Sequence, residues 1–105
     1  MFHVLFLVKR NPSMTPNEFA TYWIDEHTPL TASVPGVLSY RCYTAAGQQE
    51  DPSGVDGVAV LSFADESAYR AAVAGPEFAA AVADAPMFQD TGATTSFFAE
   101  EHIIV

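Results

Sequence analysis

Residues 2–8 read FHVLFLV, and the pattern in this stretch decides the fold. It is short, aromatic and β-branched, and it is closed by the turn signal Lys9-Arg10-Asn11-Pro12. Side chains alternate across a strand, so Phe2, Val4, Phe6 and Val8 share one face and His3, Leu5 and Leu7 the other. A strand that is apolar on both faces belongs to a sheet covered on both sides. The rest of the chain must supply helices for one face and a second layer for the other.

Outward from this strand, MTPNEF (residues 14–19) opens a helix. Thr15 fits the N-cap, Pro16 the first helical position, and Glu18 the third, which closes a capping box. Met14 and Phe19 stand where a hydrophobic staple requires them. The helix is predicted to run to about Glu26 or His27, with Thr28-Pro29 stopping it, because a residue before proline disfavours helical backbone. Phe19, Trp23 and His27 recur every four residues and line one stripe.

Pro35-Gly36 is a turn, and Val37–Thr44 alternates as a strand, with Leu38, Tyr40 and Cys42 on one side. AGQQEDPSGVDG (residues 46–57) is a polar loop with three glycines, expected to be flexible, and Val58–Phe63 is a third strand. Asp65 or Ser67 caps a second helix reaching about Val73. Gly75-Pro76-Glu77 breaks it and restarts a short helix over Glu77–Ala83. A loop is expected around Asp84-Ala85-Pro86, and a last strand over Thr95–Val105.

The order β-α-β-β-α-β, in a single domain over residues 1–105, predicts an α+β ferredoxin-like fold: a four-stranded antiparallel sheet with both helices on one face. The other face stays apolar, and Phe97 and Phe98 extend the same problem to the last strand. Large exposed apolar patches mark interfaces, so two sheets are expected to pack face to face in a symmetric homodimer. The alternative is a monomer whose open face is partly covered by the long loop.

Composition narrows the partners. The 105 residues are 50% hydrophobic and 16% charged, which predicts a packed core. The net charge is −9, and the four bases, Lys9, Arg10, Arg41 and Arg70, are scattered. Nucleic acid and anionic membrane surfaces are therefore set aside as partners. No apolar run approaches the ~20 residues of a membrane span. Cys42 is alone, so neither an intrachain disulfide nor a multi-cysteine metal site forms, and a reducing cytoplasmic compartment is expected. The N-terminus runs apolar and then basic, the reverse of a signal peptide.

KRNPSMTPNEFATYWIDEHTPL (residues 9–30) followed by VPGVLSYRCY (residues 34–43) resembles the EthD family of dimeric α/β-barrel proteins. FADESAYRAAVAGPEF (residues 63–78) and DAPMFQD (residues 84–90) look like that family's second half. The resemblance implies a ferredoxin-like fold, a dimer around a barrel of two sheets, and a small apolar pocket in each subunit. Relatives of this architecture include an ether-degradation accessory protein, methylmuconolactone isomerases and aromatic polyketide cyclases. They use no metal or organic cofactor, although a neighbouring branch binds haem. The isomerases pair a histidine at the end of the first helix with a tyrosine on the second strand, positions held here by His27 and Tyr40. Their third-strand cysteine is absent, because this chain reads Ala59-Val60-Leu61-Ser62-Phe63 there.

These residues define the candidate site. An unperturbed imidazole can take and give a proton at neutral pH, so His27 fits an acid/base group, the alternative being a cation capping the helix end. Tyr40 fits a hydrogen-bond donor to an oxyanion or carbonyl, or else a packing aromatic. Trp23, Phe88 and Phe97 are core residues, and pocket walls if a cavity exists; Asp84 is a turn residue that could reach the pocket mouth. His3 and His102 sit near the ends of neighbouring strands but lack a third ligand, so no metal site is expected. His27 is expected to look into an apolar pocket near Trp23, within reach of Tyr40, at its mouth because Pro29 ends the helix. The function expected is a cofactor-free isomerase, cyclase or dehydratase acting on an apolar or aromatic catabolic or polyketide-like intermediate. The alternatives are a non-catalytic binding or accessory protein of an oxidative degradation pathway, and a haem protein with His27 as axial ligand.

Overall fold

A computed structural model describes residues 1–46 and 54–105, which leaves residues 47–53 of the polar loop outside the described residues. The elements are β1 (Phe2–Val8), α1 (Pro16–Tyr22), a π turn (Trp23–His27), α2 (Thr28–Ala32), β2 (Ser39–Thr44), β3 (Gly57–Phe63), α3 (Glu66–Val73), α4 (Pro76–Asp84), a 3-10 turn (Ala85–Met87) and β4 (Thr95–Ala99). The sheet order is β2-β3-β1-β4 with every neighbouring pair antiparallel, the ferredoxin-like arrangement.

Register assigns the faces. Val4 stands opposite Leu61 and Phe98, Phe6 opposite Ala59, and Leu61 opposite Tyr40, so these side chains share one layer with Val8 and Phe63. Two packed groups fill that layer. One is Val4, Val34, Leu61, Phe63 and Ala72; the other is Val8, Phe19, Trp23, Ala59 and Phe88. Each large side chain buried this way contributes about 1.5–3 kcal/mol of hydrophobic stabilisation. Leu5, Leu7, Val58, Val60 and Phe97 occupy the opposite face, which none of the described helices covers.

Helix α1 starts where its residues dictate. Glu18 N donates to Thr15 Oγ1 at 3.1 Å and Thr15 N donates to Glu18 Oε1 at 2.9 Å, the reciprocal pair of a capping box. Thr15→Ala should therefore lower stability by about 1 kcal/mol, measurable as a shift in the urea midpoint at unchanged slope.

The helix does not stop at Pro29 as expected, but continues through Ala32. The π turn is the reason. Thr28 N donates to Trp23 O, one residue further back than an α-helix allows. That step strands the Ile24 carbonyl, and the Thr28 hydroxyl donates to it at 2.5 Å. Proline has no N–H to place, and the locally widened turn makes room for its ring.

β4 also differs from expectation: it ends at Ala99 rather than Val105. Ala99 pairs with His3, and β1 begins at Phe2, so the residues beyond have almost no strand left to pair with. Ile103, Ile104 and Val105 are consequently exposed. His102 lies outside the sheet and does not face His3, whose Nδ1 instead hydrogen-bonds Ser62 Oγ at 2.6 Å across β3.

Candidate active site

The stripe seeded by Phe19 and Trp23 runs further than its first three members. Phe19, Trp23, His27 and Thr31 are all buried and all four residues apart. In an ideal α-helix each four-residue step drifts about 40° around the axis. The π turn unwinds part of that drift, which keeps His27 and Thr31 facing the sheet. The Trp23, His27 and Thr31 side chains line a cavity of about 160 Å³ between the helices and the sheet. The sheet contributes Phe6, Val8, Tyr40, Ala59 and Leu61 to its floor; Phe78, Ala81 and Val82 of α4 close one side, and Gln89 and Thr91 stand on the last.

The His27 ring is held at both nitrogens. Nδ1–H donates to Asp84 Oδ2 at 2.8 Å, and Thr31 Oγ1 lies 3.3 Å from Nε2. The Tyr22 hydroxyl donates to the other Asp84 oxygen at 2.7 Å. A carboxylate can only accept, so this bond places the Nδ1 proton and leaves Nε2 as the basic nitrogen turned to the cavity. Phe88, with no exposed surface, lies against the opposite side of the imidazole at 4.6 Å between centroids.

Tyr40 occupies the other polar corner. Trp23 Nε1 donates to its hydroxyl at 3.4 Å, so the phenolic oxygen accepts there and its own hydrogen is left to be donated elsewhere. Burial is the main reason its acidity is pushed well below that of an ordinary tyrosine. The neighbouring Cys42 adds to the effect, while hydrogen bonds with Trp23 and Thr31 oppose it. Tyr40 therefore remains a neutral donor. Burial likewise raises the Cys42 thiol, against a smaller opposing hydrogen bond with Tyr40. Because the folded state holds the Tyr40 proton more tightly than the unfolded chain does, stability should fall as pH rises past 10, the ordinary tyrosine value. A series of urea midpoints at rising alkaline pH measures that slope, and Tyr40→Phe should flatten it.

The candidate residues do not all meet at the cavity. Trp23, His27 and Tyr40 line it. Phe88 backs the histidine from behind, and Asp84 is pinned to it. His27 is 7% exposed and sits mid-helix, so it is neither at an open mouth nor capping a helix end. Phe97 is a correction: it stands opposite Leu5, so the alternation of β4 turns it to the open sheet face, where it is 49% exposed and outside the cavity. Thr31 was missed because the helix was expected to end before it, although the four-residue stripe already pointed to it. Gln89 and Thr91, which lie beyond the last helix in a stretch with no periodic pattern, were missed too.

The cavity is far smaller than a porphyrin, and both ring nitrogens of His27 have partners, which argues against haem ligation there. Among the described residues, no cluster of three or more His, Cys, Asp or Glu is placed to hold a metal ion. No helix among them is long and apolar enough to cross a membrane.

Comparison with known proteins agrees with this architecture. No curated protein matches the chain. Among solved structures, an EthD family protein from Bacillus halodurans C-125 is 22% identical, with 97% of this chain and 100% of that chain covered at a TM-score of 0.78. A dimeric ferredoxin-like protein of unknown function from Thermobifida fusca YX is 19% identical, with 93% and 88% covered at 0.72. A DABB family protein with a ferredoxin-like fold from Mesorhizobium loti MAFF303099 is 13% identical, with 96% of each chain covered at 0.70. At these identities the likeness is one of fold. The family model for the EthD domain matches residues 11–92, most of the chain and both halves of the site, so the protein belongs to the EthD domain family.

Proposed function

We propose that the protein is a cofactor-free enzyme of the isomerase, cyclase or dehydratase type, moving a proton on a small, uncharged, single-ring intermediate of a catabolic or polyketide-like pathway. One observation carries this reading: an imidazole whose Nδ1–H is committed to Asp84 turns its Nε2 toward an apolar cavity that it shares with a neutral tyrosine. Environments that separate two groups in this way divide the labour of base and acid. His27 takes a proton from a carbon beside a carbonyl, and Tyr40 donates a hydrogen bond to the oxygen on which charge develops. The substrate class follows from the walls. Among the described residues no Lys or Arg lines the cavity, so an anionic group would find no fixed cation there. A cavity of about 150 Å³ holds a benzene-sized ring.

Phenylacetone, an uncharged single-ring ketone, is a suitable probe. The protein should accelerate exchange of its α-protons in heavy water, followed by NMR. Tyr40→Phe should slow that exchange by about 100-fold. A protein that binds phenylacetone without exchanging it is an accessory binding protein rather than an enzyme.

The chain works as a homodimer in this reading. The open sheet face carries Leu5, Leu7, Val58, Val60 and Phe97, and Ile103 to Val105 trail from its edge strand. A second copy would bury both. Sedimentation at micromolar concentration should give twice the 11.3 kDa chain mass. A lone thiol, partly buried, fits a reducing cytoplasm.

A further inference from the structure

We propose that Thr31 is a working member of the site, its hydroxyl carrying protons between the His27 ring and the Tyr40 phenol. This rests on the acid/base reading above. Buried hydroxyls on helices ordinarily bond the carbonyl four residues back. Thr28, one turn earlier, does so with Ile24. Thr31 is 7% exposed and has the same option, yet its Oγ1 lies 3.3 Å from His27 Nε2. It also lies close enough to Tyr40 to bear on its acidity, and it lines the cavity together with both. Valine has the same shape and would fill this wall without a hydroxyl to satisfy, so packing gives no reason for threonine here. Among the described residues, His27 and Tyr40 are the one imidazole and the one phenol that line the cavity, and Thr31 lines it with them.

The step balances within the site. On ligand entry the Thr31 hydroxyl rotates from Nε2 to the Tyr40 oxygen. The substrate C–H bond then breaks and its proton goes to Nε2, while the electron pair forms the enol double bond. The carbonyl oxygen takes the proton of Tyr40, Tyr40 takes the hydroxyl proton of Thr31, and Thr31 takes the proton from Nε2. The ketone has become its enol and all three residues are restored; the enol takes up deuterium from solvent when it returns to the ketone, which is the exchange that is read.

Two variants and two readouts test this. Thr31→Val keeps the shape and removes the hydroxyl, whereas Thr31→Ser keeps the hydroxyl. Exchange of phenylacetone should fall by about tenfold or more in the valine protein and by less than about threefold in the serine protein. In the ligand-free protein, NMR of the His27 ring nitrogens should show Nε2 shifting in the valine protein alone, with Nδ1 still protonated against Asp84. A valine protein that exchanges like wild type, with Nε2 unmoved, reduces Thr31 to a space-filling residue. If wild type itself exchanges nothing, the acid/base reading fails. The Nε2 signal then decides separately whether the hydroxyl holds the ring.

Discussion

A His27→Gln protein should exchange phenylacetone at least about 100-fold more slowly than wild type while unfolding at nearly the same urea concentration. Glutamine is chosen because the proposed function gives the imidazole two separable tasks. Its Nδ1–H satisfies Asp84, whose carboxylate is only 19% exposed and would otherwise keep Tyr22 as its sole partner. A glutamine amide can still donate there, so the buried carboxylate stays paired and the fold is spared. An amide nitrogen cannot take up a proton near neutral pH, so proton transfer is lost. Asp84→Asn makes the complementary test. It leaves the ring in place but no longer dictates which nitrogen carries the proton, and exchange should fall by about tenfold or more. Exchange that survives His27→Gln would remove the histidine from the chemistry. A collapse of stability in the same variant would mean that the residue mainly held the π turn and α4 together.

Trp23→Ala should cost about 3–5 kcal/mol of stability, the largest single loss expected among the residues that line the cavity. Trp23 is 1% exposed, packs at a tilt against Phe19, stacks on Phe88, and forms a wall of the cavity while bonding Tyr40. Its space is provided by Gly57. A Cβ at that position would lie 2.3 Å from the indole Cζ3 and 2.9 Å from the Tyr43 carbonyl oxygen. Gly57→Ala should therefore destabilise by about 1–3 kcal/mol and displace the indole, which perturbs Tyr40 as well. In a Trp23→Phe background part of that cost should disappear, because the ring atoms that clash are gone while the carbonyl contact remains. Urea unfolding of the four proteins in this cycle measures the coupling. Strictly additive effects would show that the glycine is not there for the tryptophan.

How much of this was legible from residues alone depended on whether the cause was local. The capping box at Thr15 and Glu18, the two-sided apolar β1 and the alternation of β2 are short-range patterns, and each appears where its residues place it. Helix period alone put Trp23 and His27 on one stripe, and the order of elements was enough for a ferredoxin-like sheet. The breaks came where a distant or compensating contact overrules a local preference. Pro29 signals a stop, but the π turn and the Thr28 hydroxyl absorb it, so the helix reaches Thr31. Residues 100–105 continue an apolar pattern, yet β1 has nothing left to pair with them. Phe97 reads as core, but its register with Leu5 turns it to the uncovered face. Asp84 lies 57 residues from His27, and Tyr22 lies 62 from Asp84. No spacing rule joins them; only the packing of α4 against the first helix brings that carboxylate to the ring and decides which nitrogen faces the cavity. Sequence determined the strands, the first helix start and the histidine's stripe because those follow from neighbours along the chain. Tertiary structure decided the tautomer, the Thr31 contact and the cavity because hydrogen bonds and packing act across space.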